Sequence, residues 1–219
     1  MTSVGPWPQE AATDIATATE WVEQVVGAPA RFSRLLREKL WGFTALFTTD
    51  EDAVVLKVAS PPLFPAAHLA HAAAHRAAPH AVPELLAWSD RGDQHWSLFR
   101  NIDGLPARVV GADAVFAVVD IVSSIQVHLA HDLPIGLPSL PAGAVASLLT
   151  DLDDQPRELV AALDGEREQL STWGHELDSL VPLSLDHVDL HLDNVLVAAD
   201  QRFVVLDWEE AIASCPLFS

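Results

Sequence analysis

The stretch HVDLHLDNVLVAADQRFVVLDWEE, residues 187–210, sets six acids, two histidines and one asparagine around two short apolar runs. Apolar runs belong in a core and carboxylates do not, so Asp189, Asp193 and Asp207 at the ends of these runs need a reason. VLVA and RFVVLD, joined by the turn ADQ, read as a β-hairpin. A hairpin returns its two ends to one place. Asn194 at one end and Asp207, thirteen residues on, should therefore face each other. Two hard oxygen ligands with few other protein donors suit Mg²⁺ carrying the phosphates of a nucleotide. Asp189, five residues before Asn194, is placed to accept a proton from an attacking hydroxyl. The acids sit at strand ends because the strands position them.

Working outward, residues 9–26 carry Ile15, Thr19, Val22 and Val26 at helical spacing, and GAP ends that helix. RFSRLLREKL follows, then WGFTALFTTDEDAVVLKVAS, two strands joined by an acidic turn. PPLFP breaks the chain before the alanine-rich helix AAHLAHAAAHRAAP. VPELLAWSDRGDQHWSLFR reads as another hairpin with its turn at SDRGD. Beyond NIDGLP come two helical patterns, ADAVFAVVDIVSSIQVHLAHDL and PRELVAALDGEREQLSTWGHEL, and then the short strands again. The order is a strand-rich first half and a helix-rich second half. That predicts two lobes with a cleft between them: residues 1–98, a linker at 99–104, and residues 105–219.

Half of the 219 residues are hydrophobic, enough for a real core. Thirty-one acids against twelve bases give a net charge of −19. Such a chain repels nucleic acid and anionic membranes; a cationic substrate is compatible with it, but solubility is the plainer reading of the charge. The single cysteine, Cys215, has no internal disulfide partner, and the first residues show neither a basic nor an apolar leader region. The longest apolar region, 105–127, is interrupted by Arg108, Asp113 and Asp120 and does not read as a membrane span. The expectation is a soluble cytoplasmic protein.

HVDLHLDNVLV followed by VVLDWEEA resembles the loop and metal motif of the aminoglycoside phosphotransferase and choline-kinase-like phosphotransferase family, whose fold is protein-kinase-like. The pattern is His-x-Asp-x-x-x-x-Asn, with a later Asp-containing tripeptide. The resemblance implies an α+β, two-lobed fold with a small strand-rich N-terminal lobe and a helical C-terminal lobe. It implies Asp189 as catalytic base, Asn194 and Asp207 as Mg²⁺ ligands, and His187 as the residue that braces the loop. Lys57 lies within AVVLKVA and is one of only two lysines. An ammonium in an apolar strand needs a compensating anion, and the phosphates of ATP would supply one. HWSLFRNIDG resembles the family's inter-lobe strand and linker, which implies that backbone groups of Phe99, Arg100 and Ile102 meet the adenine edge. The implied reaction moves the γ-phosphoryl of ATP to a hydroxyl of a small molecule: an aminoglycoside, another amino sugar, choline or a similar metabolite.

Two departures accompany the resemblance. Between Asp52 and Glu84 there is no acid to serve as the usual helix partner of the strand lysine; the helix offers His68, His71 and His75 instead. The sequence also stops twelve residues after Asp207, where the family continues with further helices, so the C-terminal lobe reads as short. These features keep open a nucleotide-binding chain without turnover. A further alternative takes Asp189, His191, Asp193 and Asp207 as a metal-dependent hydrolase site. The three helix histidines could also be zinc ligands, though half-exposed histidines are the plainer reading. The tryptophans read as core or packing residues, and Asp151, Asp153 and Asp154 as a solvated turn.

Overall fold

Residues 8–39, 42–59, 64–92, 94–148 and 157–216 are described by a computed structural model. Asp151, Asp153, Asp154, Trp7 and Trp41 lie outside them. By its own contacts the chain divides into two units: Met1–Pro65 with Pro83–Asp103, and Ala66–Val82 with Gly104–Ser219.

The first unit is a five-stranded antiparallel sheet backed by helix α1 (Pro8–Val26). Its strands are β1 (Arg31–Lys39), β2 (Gly42–Thr48), β3 (Ala53–Ala59), β4 (Leu85–Arg91) and β5 (Gln94–Arg100), in the order β1-β2-β3-β5-β4. Helix α1 stops at Gly27, whose φ of 70° costs a residue without Cβ little. The turn between β2 and β3 is closed by Thr49, whose N–H donates to the Asp52 carbonyl and whose Oγ1 accepts from Asp52 N–H at 2.9 Å. Alternation in β2 and β3 turns Phe43, Phe47, Leu56 and Val58 toward Trp21 and Val22 of the helix. Leu56 and Leu98 are fully buried, each a gain of about 1.5–3 kcal/mol over exposure. At the sheet edge β1 carries Arg31, Arg34, Arg37 and Lys39 and two register shifts, both of which blunt an edge against further pairing.

The second unit contains α2 (Ala67–Ala77), β6 (Gly104–Pro106), α3 (Ala112–Leu129), β7 (Ser139–Leu140), α4 (Ala142–Leu148), α5 (Arg157–Leu180), β8 (Ser184–Asp186), β9 (Val195–Ala198), β10 (Phe203–Val205) and β11 (Ile212–Ser214). The strands form two small sheets, β10-β9-β6 and β7-β11-β8. The core joins Ala70, Ala73 and Ala74 of α2 to Val118, Val122 and Ile125 of α3 and to Trp208. Residues 66–82 thus pack with the second unit, although by sequence neighbourhood they fall within the 1–98 lobe. Alanines at three buried positions let α2 approach closely, and that packing outweighs its place in the chain.

The tryptophans divide. Trp21, Trp96 and Trp208 are buried as expected, but Trp88 and Trp173 are exposed at 46% and 55%. Among the described residues no helix is long and apolar enough to cross a membrane.

Candidate active site

The hairpin at 195–205 forms as the sequence predicts, with Val195 opposite Val205 and Val197 opposite Phe203. One step beyond the last pair, Leu206 N–H donates to the Asn194 carbonyl at 2.8 Å. Asn194 therefore sits opposite Leu206, and Asp207 is the next residue. Asp207 adopts φ 61° and ψ 44°, a left-handed conformation that aspartate tolerates better than most side chains.

His187 ties the preceding loop to the same place. Its Nε2 donates to the Leu206 carbonyl at 2.7 Å, so Leu206 is held through its N–H by Asn194 and through its oxygen by His187. The imidazole is fully buried and lies 4.6 Å from the Trp208 ring, centroid to centroid. Burial pushes it below its ordinary value, against the weaker upward pull of the Leu206 carbonyl and of Asp207 and Asp189. A neutral ring carrying its proton on Nε2 fits the bond it makes.

Between His187 and Asn194 the backbone is tightly shaped. Val188 has φ 66°, unusual for a β-branched residue and costing about 1–3 kcal/mol. Asp189 N–H closes this turn onto the His187 carbonyl at 2.8 Å. His191 caps the short 3-10 turn Leu192–Asn194, its Nδ1 accepting from Asp193 N–H at 3.2 Å. That leaves the His191 proton on Nε2, 3.5 Å from Asp189 Oδ2. Asn194 is buried, and its Nδ2 donates to both the backbone oxygen and Oδ2 of Asp189, each at 3.0 Å.

This donor set fits a magnesium ion. With Nδ2 committed to Asp189, the Asn194 amide oxygen is the atom left to act as a ligand, and Asp207, next to the Leu206 that Asn194 holds, would add a carboxylate. Both are hard oxygens, as Mg²⁺ prefers. The hydrolase alternative gathers no such set. Among the described residues no three His, Cys, Asp or Glu side chains cluster to hold a metal, and the Asp193 carboxylate is engaged by Arg108. The helix histidines likewise form no cluster: His71 is buried and His75 Nδ1 lies 2.9 Å from the Val82 carbonyl, to which it donates.

In the first unit, Lys57 lies on β3 in register with Thr44 on one side and Ser97 on the other. It occupies the face opposite Leu56 and Val58, away from the α1 core, and is half-buried. Phe99 and Arg100 end β5. Arg100 N–H donates to the Glu84 carbonyl and Asn101 N–H to the Ala53 carbonyl, so neither is offered to a ligand. The Arg100 guanidinium is held by Glu84 Oε2 at 2.9 Å and by Asp52. Those two carboxylates raise its already high value.

A model of the phosphotransferase enzyme family matches residues 36–218, most of the chain. The chain belongs to that family. Its members' kinase-type chemistry, phosphoryl transfer to a small molecule, is the activity class of this enzyme. Solved structures share the fold. A thermostable mutant of the aminoglycoside phosphotransferase APH(4)-Ia, in ternary complex with AMP-PNP and hygromycin B, is 18% identical with a TM-score of 0.63, over 92% of this phosphotransferase and 74% of that chain. A Ralstonia eutropha JMP134 protein solved as a candidate aminoglycoside phosphotransferase is 15% identical with a TM-score of 0.65, over 93% and 67%. A candidate fructosamine-3-kinase from Haemophilus somnus 129PT is 12% identical with a TM-score of 0.57, over 91% and 73%. No curated protein matches the sequence.

Three residues in contact with the candidate site escape the sequence reading: Leu206, Trp208 and Asp186. Leu206 works through its backbone, which no side-chain pattern reveals. Trp208 reads as any core aromatic until it is seen against His187. Asp186 looks like one more acid in an acidic chain, yet it is only 3% exposed.

Proposed function

We propose that this enzyme transfers the γ-phosphoryl group of ATP to a hydroxyl of a small molecule, with Asp189 as the base. The observation that carries the reading is the division of labour within Asn194: its amide nitrogen holds Asp189, and its oxygen remains for a cation. A proton acceptor and a metal ligand are thereby fixed to one another, which is what positioning an acceptor hydroxyl against a phosphoryl group requires. Asn194 and Asp207 would hold Mg²⁺, which when bound neutralises charge on the phosphates. Lys57 would pair with the phosphates, and the carbonyl of Arg100 and the backbone of Ile102, beyond the paired Phe99, would meet the adenine. His187 keeps the Leu206 backbone, and with it Asp207, in place.

The acceptor class is an aminoglycoside, another amino sugar, choline or a related hydroxyl-bearing metabolite. Structural neighbours hold hygromycin B or carry a fructosamine-kinase name, and a net charge of −19 is compatible with a cationic acceptor. We place the protein in the cytoplasm, where ATP is supplied.

Thermal shift with Mg²⁺-ATP, set beside Zn²⁺ or Mn²⁺ alone, tests the reading. A ligand at about 100 times its Kd stabilises by about 2.7 kcal/mol, so Mg²⁺-ATP should raise the Tm by several degrees. Stabilisation by transition metal alone, with ATP ignored, would refute it. Stabilisation by Mg²⁺-ATP without turnover toward any acceptor would restrict the function to nucleotide binding.

A further inference from the structure

Four polar side chains are buried on β8, its partner strand β11 and the helix α3 that packs on β8: Ser184, Asp186, Ser214 and Gln126. Ser184 Oγ donates to the Gln126 carbonyl at 2.6 Å, and Gln126 Nε2 donates to the Pro216 carbonyl. Asp186 is the member of the group that reaches the active-site loop. Its Oδ2 accepts from Ser214 Oγ at 2.7 Å, and its Oδ1 accepts from Val188 N–H at 3.2 Å.

A carboxylate is costly to bury, and an apolar residue would serve a three-residue strand better. What the carboxylate adds is a grip on Val188. That residue is the strained one, with φ 66° on a β-branched side chain. Its conformation makes the turn in which Asp189 N–H meets the His187 carbonyl, and so determines where Asp189 is presented. Ser214 sits on β11, antiparallel to β8 with Ile212 opposite Asp186 and Ser214 opposite Ser184. Asp186 therefore links the strand after the Asp207 segment to the turn before Asp189.

We propose that Asp186 is a positioning residue, whose buried carboxylate, anchored by Ser214, holds Val188 in the left-handed conformation that aims Asp189. The proposal rests on the reading of Asp189 as the base. It separates from a merely structural role through Val188→Gly, because glycine enters the left-handed region without a carboxylate to hold it.

The test compares Asp186→Ala, Asp186→Asn, Val188→Gly and the double variant Asp186→Ala/Val188→Gly in the full chain. Amide exchange at Val188 and Asp189, Mg²⁺-ATP affinity and Mg²⁺-ATP turnover with an amino-sugar acceptor panel including hygromycin B are measured for each. Asp186→Ala should speed exchange of both amides and lower turnover by ~10-fold or more, with affinity within about twofold of wild type. Adding Val188→Gly should restore most of the turnover. Asp186→Asn keeps an acceptor oxygen for Val188 N–H and should retain most of it from the start. If Asp186→Ala does not fold, Ser214→Ala should show the same pattern in milder form. Unchanged exchange at both amides, or a turnover loss that Val188→Gly does not repair, overturns the proposal. A wild type that turns nothing over contradicts the base assignment instead, and exchange at the two amides still decides the brace.

Discussion

Asn194 holds Asp189 at two points, its Nδ2 lying 3.0 Å from the backbone oxygen and 3.0 Å from Oδ2 of the same residue. A single amide thus fixes the loop and the carboxylate together. Asp189→Asn retains an oxygen for that amide but removes the proton acceptor. Transfer should fall by ~10²-fold or more while ATP affinity hardly changes. Wild-type transfer rates in the variant would remove Asp189 from the base role.

Asp207 should matter to binding instead. It follows Leu206, which Asn194 and His187 hold through its N–H and its carbonyl. Asp207→Ala should abolish the Mg²⁺-dependent part of ATP binding and leave the fold intact, at a modest cost in stability because alanine takes the left-handed conformation less readily than aspartate. Calorimetric titration of ATP with and without Mg²⁺ decides it; equal Mg²⁺ dependence in both proteins would exclude Asp207 as a ligand.

The parts of this site that could be read from the sequence are those with a period or a spacing. VLVA and RFVV are apolar runs bracketed by a turn, so the β9–β10 hairpin and the acids at its ends were legible. Strands β8 and β11 are three residues each, too short for any alternation to register, and the Asp186–Ser214 bond between them was therefore invisible. Strand β1 is exposed almost throughout and shifts register twice, so it shows no inward-facing set of apolar residues. Helix α2 was recognisable as a helix, but its packing with the second unit depends on contacts across the fold that a linear reading does not contain.

His187 gives the enzyme a pH-dependent stability. Its imidazole sits below the ordinary 6.5 because of burial, so the unfolded chain binds the proton more readily than the folded one. Its contribution is therefore full above about pH 6.5 and is lost as the pH falls through the lower folded value. His187→Gln keeps a donor for the Leu206 carbonyl but does not titrate. Denaturation midpoints followed from neutral into mildly acid solution should fall less steeply for the variant. Parallel curves for the two proteins would assign the acid sensitivity elsewhere.

Helices α4 and α5 meet at Gly174, where a Cβ would collide with the backbone of Ala142 and Gly143. Nearby, Asp178 accepts from the Ala142 and Gly143 N–H groups at 2.8 and 2.9 Å and caps the start of α4. Gly174→Ala should cost about 1–3 kcal/mol, since backbone cannot give way as a side-chain tip can. Asp178→Ala should cost about 0.5–2 kcal/mol. Urea denaturation measures both; an unchanged midpoint for Gly174→Ala would mean that the helices separate without penalty.

Phosphoryl transfer is followed best through the γ-phosphate itself. The enzyme is incubated with Mg²⁺ and γ-labelled ATP against a panel of aminoglycosides, amino sugars and choline, and the label is traced by mass spectrometry. Label should appear on a hydroxyl of at least one acceptor, with ADP formed in equal amount, and both products should be lost in Asp189→Asn. Bound ATP with no label transferred to any acceptor would contradict phosphoryl transfer, and transfer undiminished in Asp189→Asn would contradict its base.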